Sequence, residues 1–253
     1  HKVVKSSNEN QLQVDEKKVL AVLHAAKTSD VFEDKMIAVA LAVGSRMIEI
    51  LHVSEYHDSK YDPHNITIKG LAKDRRKLET DPQRQVQKPI LELDGKDVTN
   101  LVNAIRSEFA DKHPELKHLI EKKKTSPEEN QLLTQAVNKQ ANTRVKQLFP
   151  NLKIDEKDKK DKGIHFHKLR SIYANMTYLK LKPQMSLTAW ISKVLGHQEK
   201  SIQTGLSYQN VNIVKDVPDP KILVKEDLLS MKVQMGEIDH RLAQMKRQRE
   251  EET

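Results

Sequence analysis

The chain has 253 residues, enough for one large domain with a real core. Lysine and arginine number 44 against 36 aspartates and glutamates, and the resulting charge of +8 permits a polyanionic partner without requiring one. The lack of cysteine excludes a disulfide framework, a thiolate nucleophile and any cysteine-bound metal, and it allows an intracellular setting. No apolar run approaches the ~20 residues of a membrane span, and no signal peptide is visible. The chain opens on His1 rather than Met, so it reads as a piece of something longer.

Residues 1–13 are polar and read as a frayed linker. From Val14 to Ala26 the apolar positions Val14, Val19, Leu20, Val22 and Leu23 recur at helical spacing. After the cap-rich Thr28-Ser29-Asp30, a strongly apolar pattern predicts a second helix from Val31 to about Val53, interrupted at Gly44. Arg46 sits in that pattern where no charge belongs. Its partner is either Glu49 or an anion that is not protein. His64 to Lys69 alternates like a strand, Gly70 to Arg76 reads as the turn after it, and Val86 to Ile90 as the return. Asp97 or Thr99 caps a helix reaching Lys112. Ser126-Pro127 opens another that reaches Leu148, and the Lys- and Asp-rich run 153–162 reads as a mobile loop. Ile164 to Tyr178 predicts a helix ended by Lys182-Pro183. Ser186 begins the next, which carries Trp190, Ile191 and Val194 and stops at Gly196. Past Pro218 and Pro220, Leu228, Met231, Met235, Ile238, Leu242 and Met245 form an a/d seam. That helix, within 218–253, is either a coiled coil or a strut packed on the body. The whole predicts a mainly α protein with a small antiparallel β-sheet.

Six polar residues are not explained by these patterns: Arg46, Lys73, His167, Arg170, His197 and Tyr208. His167 and Arg170, three apart on a helix, point the same way. Two arginines and one or two histidines suit the non-bridging oxygens of a phosphodiester as it becomes pentacovalent. A lysine in a turn suits protonation of the departing 5′ oxygen, and a tyrosine suits in-line attack. Charge stabilisation by guanidinium and imidazolium needs no metal or other cofactor. Each residue alone has a duller explanation. Arg46 pairs with Glu49, Lys73 is one surface lysine among several, and His-x-x-Arg arises by chance. His165 and His167 diverge at i, i+2 on a helix and find no third ligand, so a metal pair is discounted. Tyr173 and Tyr178 fit the helical core. The ordered set is far more specific than any member.

That order resembles the signature of tyrosine recombinases and, more distantly, type IB topoisomerases. Within the superfamily the chain resembles telomere resolvases, or protelomerases. The likeness rests on Gly44-Ser45-Arg46-Met47-Ile48-Glu49-Ile50, Gly70-Leu71-Ala72-Lys73, Arg170-Ser171-Ile172-Tyr173-Ala174, and Leu195-Gly196-His197 with Tyr208. It implies a tyrosine-recombinase-like catalytic domain over 14–217, with a basic helical insert near 106–162 that makes the spacing from Arg46 to Arg170 long for an integrase. It also implies catalysis by the six residues named, and DNA contacts from Lys69, Arg75, Arg76 and Lys168. A homodimer on a palindromic duplex would cut one strand per protomer, leaving 3′-phosphotyrosyl links. Each strand end would then fold back and be closed into a hairpin. The expected setting is the cytoplasm of a bacterial or phage-infected cell. The alternatives are an integrase that exchanges strands between duplexes, and a non-catalytic basic DNA-binding module.

Overall fold

The computed structural model describes residues 12–59, 61–72, 85–150, 164–196, 208 and 211–214. The chain divides into units of residues 1–215 and 216–253, and every described residue lies in the first. The predicted coiled-coil segment and the loop 153–162 lie outside the described residues.

Strand β1 (Leu12–Asp15) leads into helix α1 (Glu16–Lys27), where the Asp15 carboxylate accepts from Lys17 N at 2.9 Å and caps the first turn. Val19, Val22, Leu23 and Ala26 bury one face of α1 against α2 (Phe32–Val43). Beyond Lys35 helix α2 is apolar on every side, which suits a helix at the centre of the fold rather than its surface. Met36, Ile37, Val39, Leu41 and Val43 are wholly buried. Around it pack α3 (Gly95–Lys112), α5 (Pro127–Leu148) and α6 (Leu169–Leu181), with the short α4 (Lys117–Ile120) against α3. Polar ties fix the angles between these helices. The buried Asp34 of α2 takes both forks of Arg144 from α5, at 2.6 and 2.8 Å. Those hydrogen bonds outweigh the cost of burial and hold the Asp34 carboxyl below its usual range. Helix α5 begins where the sequence places it, with a reciprocal capping box between Ser126 and Glu129. The next helix, α7 (Leu187–Leu195), starts at the Ser186 cap and ends at Gly196, whose φ of +69° is the left-handed terminator expected there.

Strands β2 (Glu55–Asp58), β3 (Asn65–Lys69) and β4 (Gln85–Pro89) form an antiparallel sheet in that order. Tyr56 faces Ile68, Ile68 faces Val86 and Ile66 faces Lys88. The fold is therefore mainly helical with a small antiparallel sheet, as the patterns predict.

Four local expectations change. The long second helix is not one helix. It stops at Val43, and after Gly44 the chain makes a turn and then a π-helical stretch, Glu49–Val53, because Gly44 adopts φ +62°. The stretch 1–13 is not all frayed linker. Leu12–Asp15 pairs in parallel with β5 (Val211–Val214), a two-stranded sheet too short to be visible in sequence. The helix predicted from Ile164 begins as a 3-10 turn at Phe166–Lys168, with His165 extended before it. Asp94, not Asp97 or Thr99, caps α3. Among the described residues no helix is long and apolar enough to cross a membrane.

Candidate active site

The site grows from the turn after α2. A Cβ on Gly44 would stand 2.3 Å from Cδ1 of the wholly buried Tyr173, so the left-handed turn requires glycine twice over. The chain leaves α2 here and brings Arg46 and Glu49 back beneath α6. Glu49 is fully buried and gathers the surrounding donors. Its Oε2 accepts Arg46 N at 2.7 Å and Arg170 Nη1 at 3.4 Å. Its Oε1 accepts Arg46 Nη1 at 2.5 Å and Ala72 N at 3.2 Å. Burial pushes the Glu49 carboxyl up, but the charges of Arg170, Lys88 and Arg46 outweigh it and hold it ionised below its usual range. Arg46 donates also to Ala72 O at 2.8 Å, so the expected Glu49 pairing is present and the arginine reaches the cleft as well.

Arg170 is 1% exposed. Its Nη1 donates to Gly44 O and its Nη2 to Leu195 O at 3.3 Å, so it ties the end of α2 to the end of α7. Its buried Nε makes no hydrogen bond among the described residues. Burial moves the guanidinium below its ordinary value, opposed chiefly by Glu49.

The Tyr208 hydroxyl lies 3.1 Å from His167 Nε2, with the two rings tilted at 54°. Tyr208 is buried, and its carbonyl accepts from Asn175 Nδ2 at 3.1 Å, a bond from α6 that fixes the backbone behind the phenol. Three residues further on, β5 joins β1. His167 and Arg170 share one face, as their spacing predicts, and both line a cleft of about 350 Å³ with Arg46. The opposite wall is α5, through Thr134, Gln135, Asn138 and Asn142.

The structure thus brings together Arg46, His167, Arg170 and Tyr208. Lys73 and His197 lie outside the described residues, as do Arg75 and Arg76. The described chain stops just short of both catalytic candidates, at Ala72 and Gly196. These two ends adjoin, since a Cβ on Gly196 would meet Leu71 Cδ1 at 2.4 Å. Lys69 is half-buried at the end of β3, and burial lowers the half-buried Lys168 from its ordinary value. Arg106, read as the start of a basic insert, is structural. It donates to the carbonyls of Ile50, Glu49, His52 and Ser54 and so closes the open end of the π-helical turn.

Two members of the site escape a reading for catalytic residues. Glu49 appears in sequence only as a partner for Arg46, because nothing local shows that Arg170 shares it. Lys88 is missed altogether. It is wholly buried on β4 and donates to Val43 O at 3.2 Å. Burial brings its ammonium down to about 7. Glu49 works against that fall, and Arg170 and Arg46 add to it. The signal was present, since Val86, Lys88 and Ile90 alternate onto one face and make Lys88 the polar member of an inward row.

Residues 10–210 match the family described as the telomere resolvase ResT/TelK catalytic domain. The telomere resolvase ResT of Borreliella burgdorferi is 25% identical over 175 residues, covering 69% of this chain and 33% of that protein. Among solved structures, a protelomerase tela variant complexed with DNA hairpin product superposes with a TM-score of 0.66 at 16% identity. The match covers 91% of this chain and 66% of that one. Another tela variant, covalently complexed with substrate DNA, gives 0.66 at 17% identity over 90% and 66% of the two chains. Protelomerase TelK complexed with substrate DNA gives 0.62 at 19% over 85% and 40%. These likenesses establish the fold. The chain spans a third of the curated relative's length and less than two thirds of the protelomerase chains.

Proposed function

The chain belongs to the telomere resolvase ResT/TelK catalytic-domain family, and from that premise we propose that it is the DNA-cleaving and rejoining part of a telomere resolvase. The observation that carries this reading is the contact of Tyr208 Oη with His167 Nε2 at 3.1 Å, beside Arg46 and the buried Arg170, both paired with Glu49. With Nε2 unprotonated, His167 takes the phenol proton as Tyr208 attacks the phosphorus in line. Arg46 and Arg170 hold the non-bridging oxygens and neutralise charge as it develops. The 5′ oxygen leaves as Lys73 gives it a proton, with His197 a further donor to the phosphoryl oxygens. The DNA is then joined to Tyr208 through a 3′-phosphotyrosyl ester. Attack by a 5′-hydroxyl from the folded-back strand releases the tyrosine and closes a hairpin end.

A homodimer would place one such site on each strand of a palindromic junction. On this reading the protein works on DNA in the cytoplasm of a bacterial or phage-infected cell. The domain limits 14–217 and 218–253 and the DNA contacts of Lys69, Arg75, Arg76 and Lys168 belong to the same proposal.

The test incubates the full-length protein with a palindromic duplex and resolves the products on a denaturing gel. Snap-back hairpins and a covalent protein–DNA adduct are expected, and Tyr208→Phe should yield neither. An adduct that survives in Tyr208→Phe would remove the nucleophile assignment. Strand-exchanged duplexes without hairpins would make the protein an integrase instead.

A further inference from the structure

The cleft at the catalytic arginines has two unlike walls. One carries Arg46, His167 and Arg170; the other, on α5, carries Thr134, Gln135, Asn138 and Asn142. Helix α5 is not short of charge, since Glu128, Glu129, Lys139, Arg144 and Lys146 all lie on it. None of its charged residues lines the cleft. Lysine and arginine hold the phosphate backbone by charge, whatever the sequence, and the α5 wall presents neither. Amides offer a donor and an acceptor side by side, the pattern that base edges present.

The amides are also arranged. Asn142 Oδ1 accepts Phe166 N at 2.8 Å, at the first residue of the turn carrying His167, where the chain supplies no side-chain cap of its own. Asn142 Nδ2 then donates to Asn138 Oδ1 at 2.8 Å. With its oxygen engaged, Asn138 offers its amide nitrogen, a donor suited to purine N7 or a base carbonyl. Gln135 makes no side-chain hydrogen bond among the described residues, so both ends of its amide are open. The relay from Asn138 through Asn142 to Phe166 holds this wall in register with His167, and hence with the phosphorus that Tyr208 attacks.

We propose that Gln135 and Asn138 form a base-reading subsite that contacts the edges of the nucleobases flanking the scissile phosphate and sets sequence preference there. This rests on the DNA-cleaving function proposed above and adds to it the residues that choose where the cut falls.

The test uses the full-length protein and a pool of palindromic duplexes randomised at the base pairs on either side of the cleavage position. Sequences are recovered from the covalent adduct and compared among wild type, Asn138→Ala and Gln135→Ala. Both side chains are exposed, so neither substitution removes core packing. Each variant should lose a preference of roughly tenfold to a hundredfold at one or two adjacent positions and keep its preferences elsewhere. Profiles that match wild type, or a weakening spread evenly over all sequences, would overturn the subsite while adduct formation still upheld cleavage. A wild-type protein that formed no adduct with any duplex would instead overturn the cleavage reading, and the subsite with it.

Discussion

At the scale of single residues, the two arginines do different work although their chemistry is alike. Arg46 reaches the cleft from the turn after α2 and shares Glu49. Arg170 is walled in and also holds the ends of α2 and α7 through Gly44 O and Leu195 O. Arg46→Ala and Arg170→Ala should each lower single-turnover cleavage by roughly a hundredfold or more, since losing a donor to a developing oxyanion costs about 3 to 4 kcal/mol. Only Arg170→Ala should also destabilise the fold strongly, by about 3 to 5 kcal/mol, because it removes a buried charge facing Glu49 and leaves the buried carbonyls of Gly44 and Leu195 without this donor. Thermal melts beside the kinetics check this; equal losses of stability would make Arg46 as structural as its neighbour. Lys88 gives a prediction with a definite sign. Its folded ammonium titrates near 7 against an ordinary value of 10.5, so the unfolded chain holds more protons between those values. The cost of burying its charge is therefore fully present below pH 7, and stability rises as pH climbs through that window. Wild type should gain stability relative to Lys88→Met between pH 7 and 10.5. A difference that stays constant with pH would show that Lys88 does not change charge there.

At the scale of elements, the site hangs on how helices stop. Gly44 and Gly196 both end helices in the left-handed region, and replacing either by alanine forces a strained φ, at about 1 kcal/mol. The two differ in what a methyl would strike. At Gly44 it meets the ring of the buried Tyr173; at Gly196 it meets the mobile end of Leu71. Gly44→Ala should cost several times more stability than Gly196→Ala in urea unfolding. Equal costs would mean that the Tyr173 ring gives way as easily as a leucine methyl. The β1–β5 pair matters for the same reason. It fastens the chain just after Tyr208 to the beginning of the folded unit, so Tyr208 is held on both sides, by Asn175 of α6 and by this small sheet.

At the scale of the molecule, one carboxylate, Glu49, holds two arginines from distant parts of the chain, with the buried Lys88 close enough to act on its charge. Glu49 sits at the junction of the π-helical turn, the stretch 70–72 and α6. A shift in any of these is felt at both arginines. These two arginines are the charge that the proposed phosphoryl transition state would use. Among the described residues, no three His, Asp or Glu side chains come together as metal ligands. On the proposed roles of Arg46 and Arg170, cleavage should proceed at an unchanged rate in excess EDTA. Activity lost to the chelator and restored by magnesium would assign that charge to an ion instead.

The helices and their ends were legible in the sequence because their causes are local. The Ser126–Glu129 box, the Ser186 cap, Gly196 and the His167–Arg170 spacing each lie within a few residues, and backbone geometry alone fixes what they do. Arg46, His167, Arg170 and Tyr208 stood out because the apolar patterns around them left each without a role in the core. What no local pattern carries is which distant groups meet. Leu12–Asp15 lies beside Val211–Val214. Tyr208 touches a histidine 41 residues away. Glu49, which in sequence answers only Arg46, also receives Arg170 from 121 residues further on. Lys88 is buried among them, and the amides of α5 cap the turn of His167. Burial around α2 decides these pairings, because only there does removing water make an unpaired charge or amide costly enough to select one partner over all others.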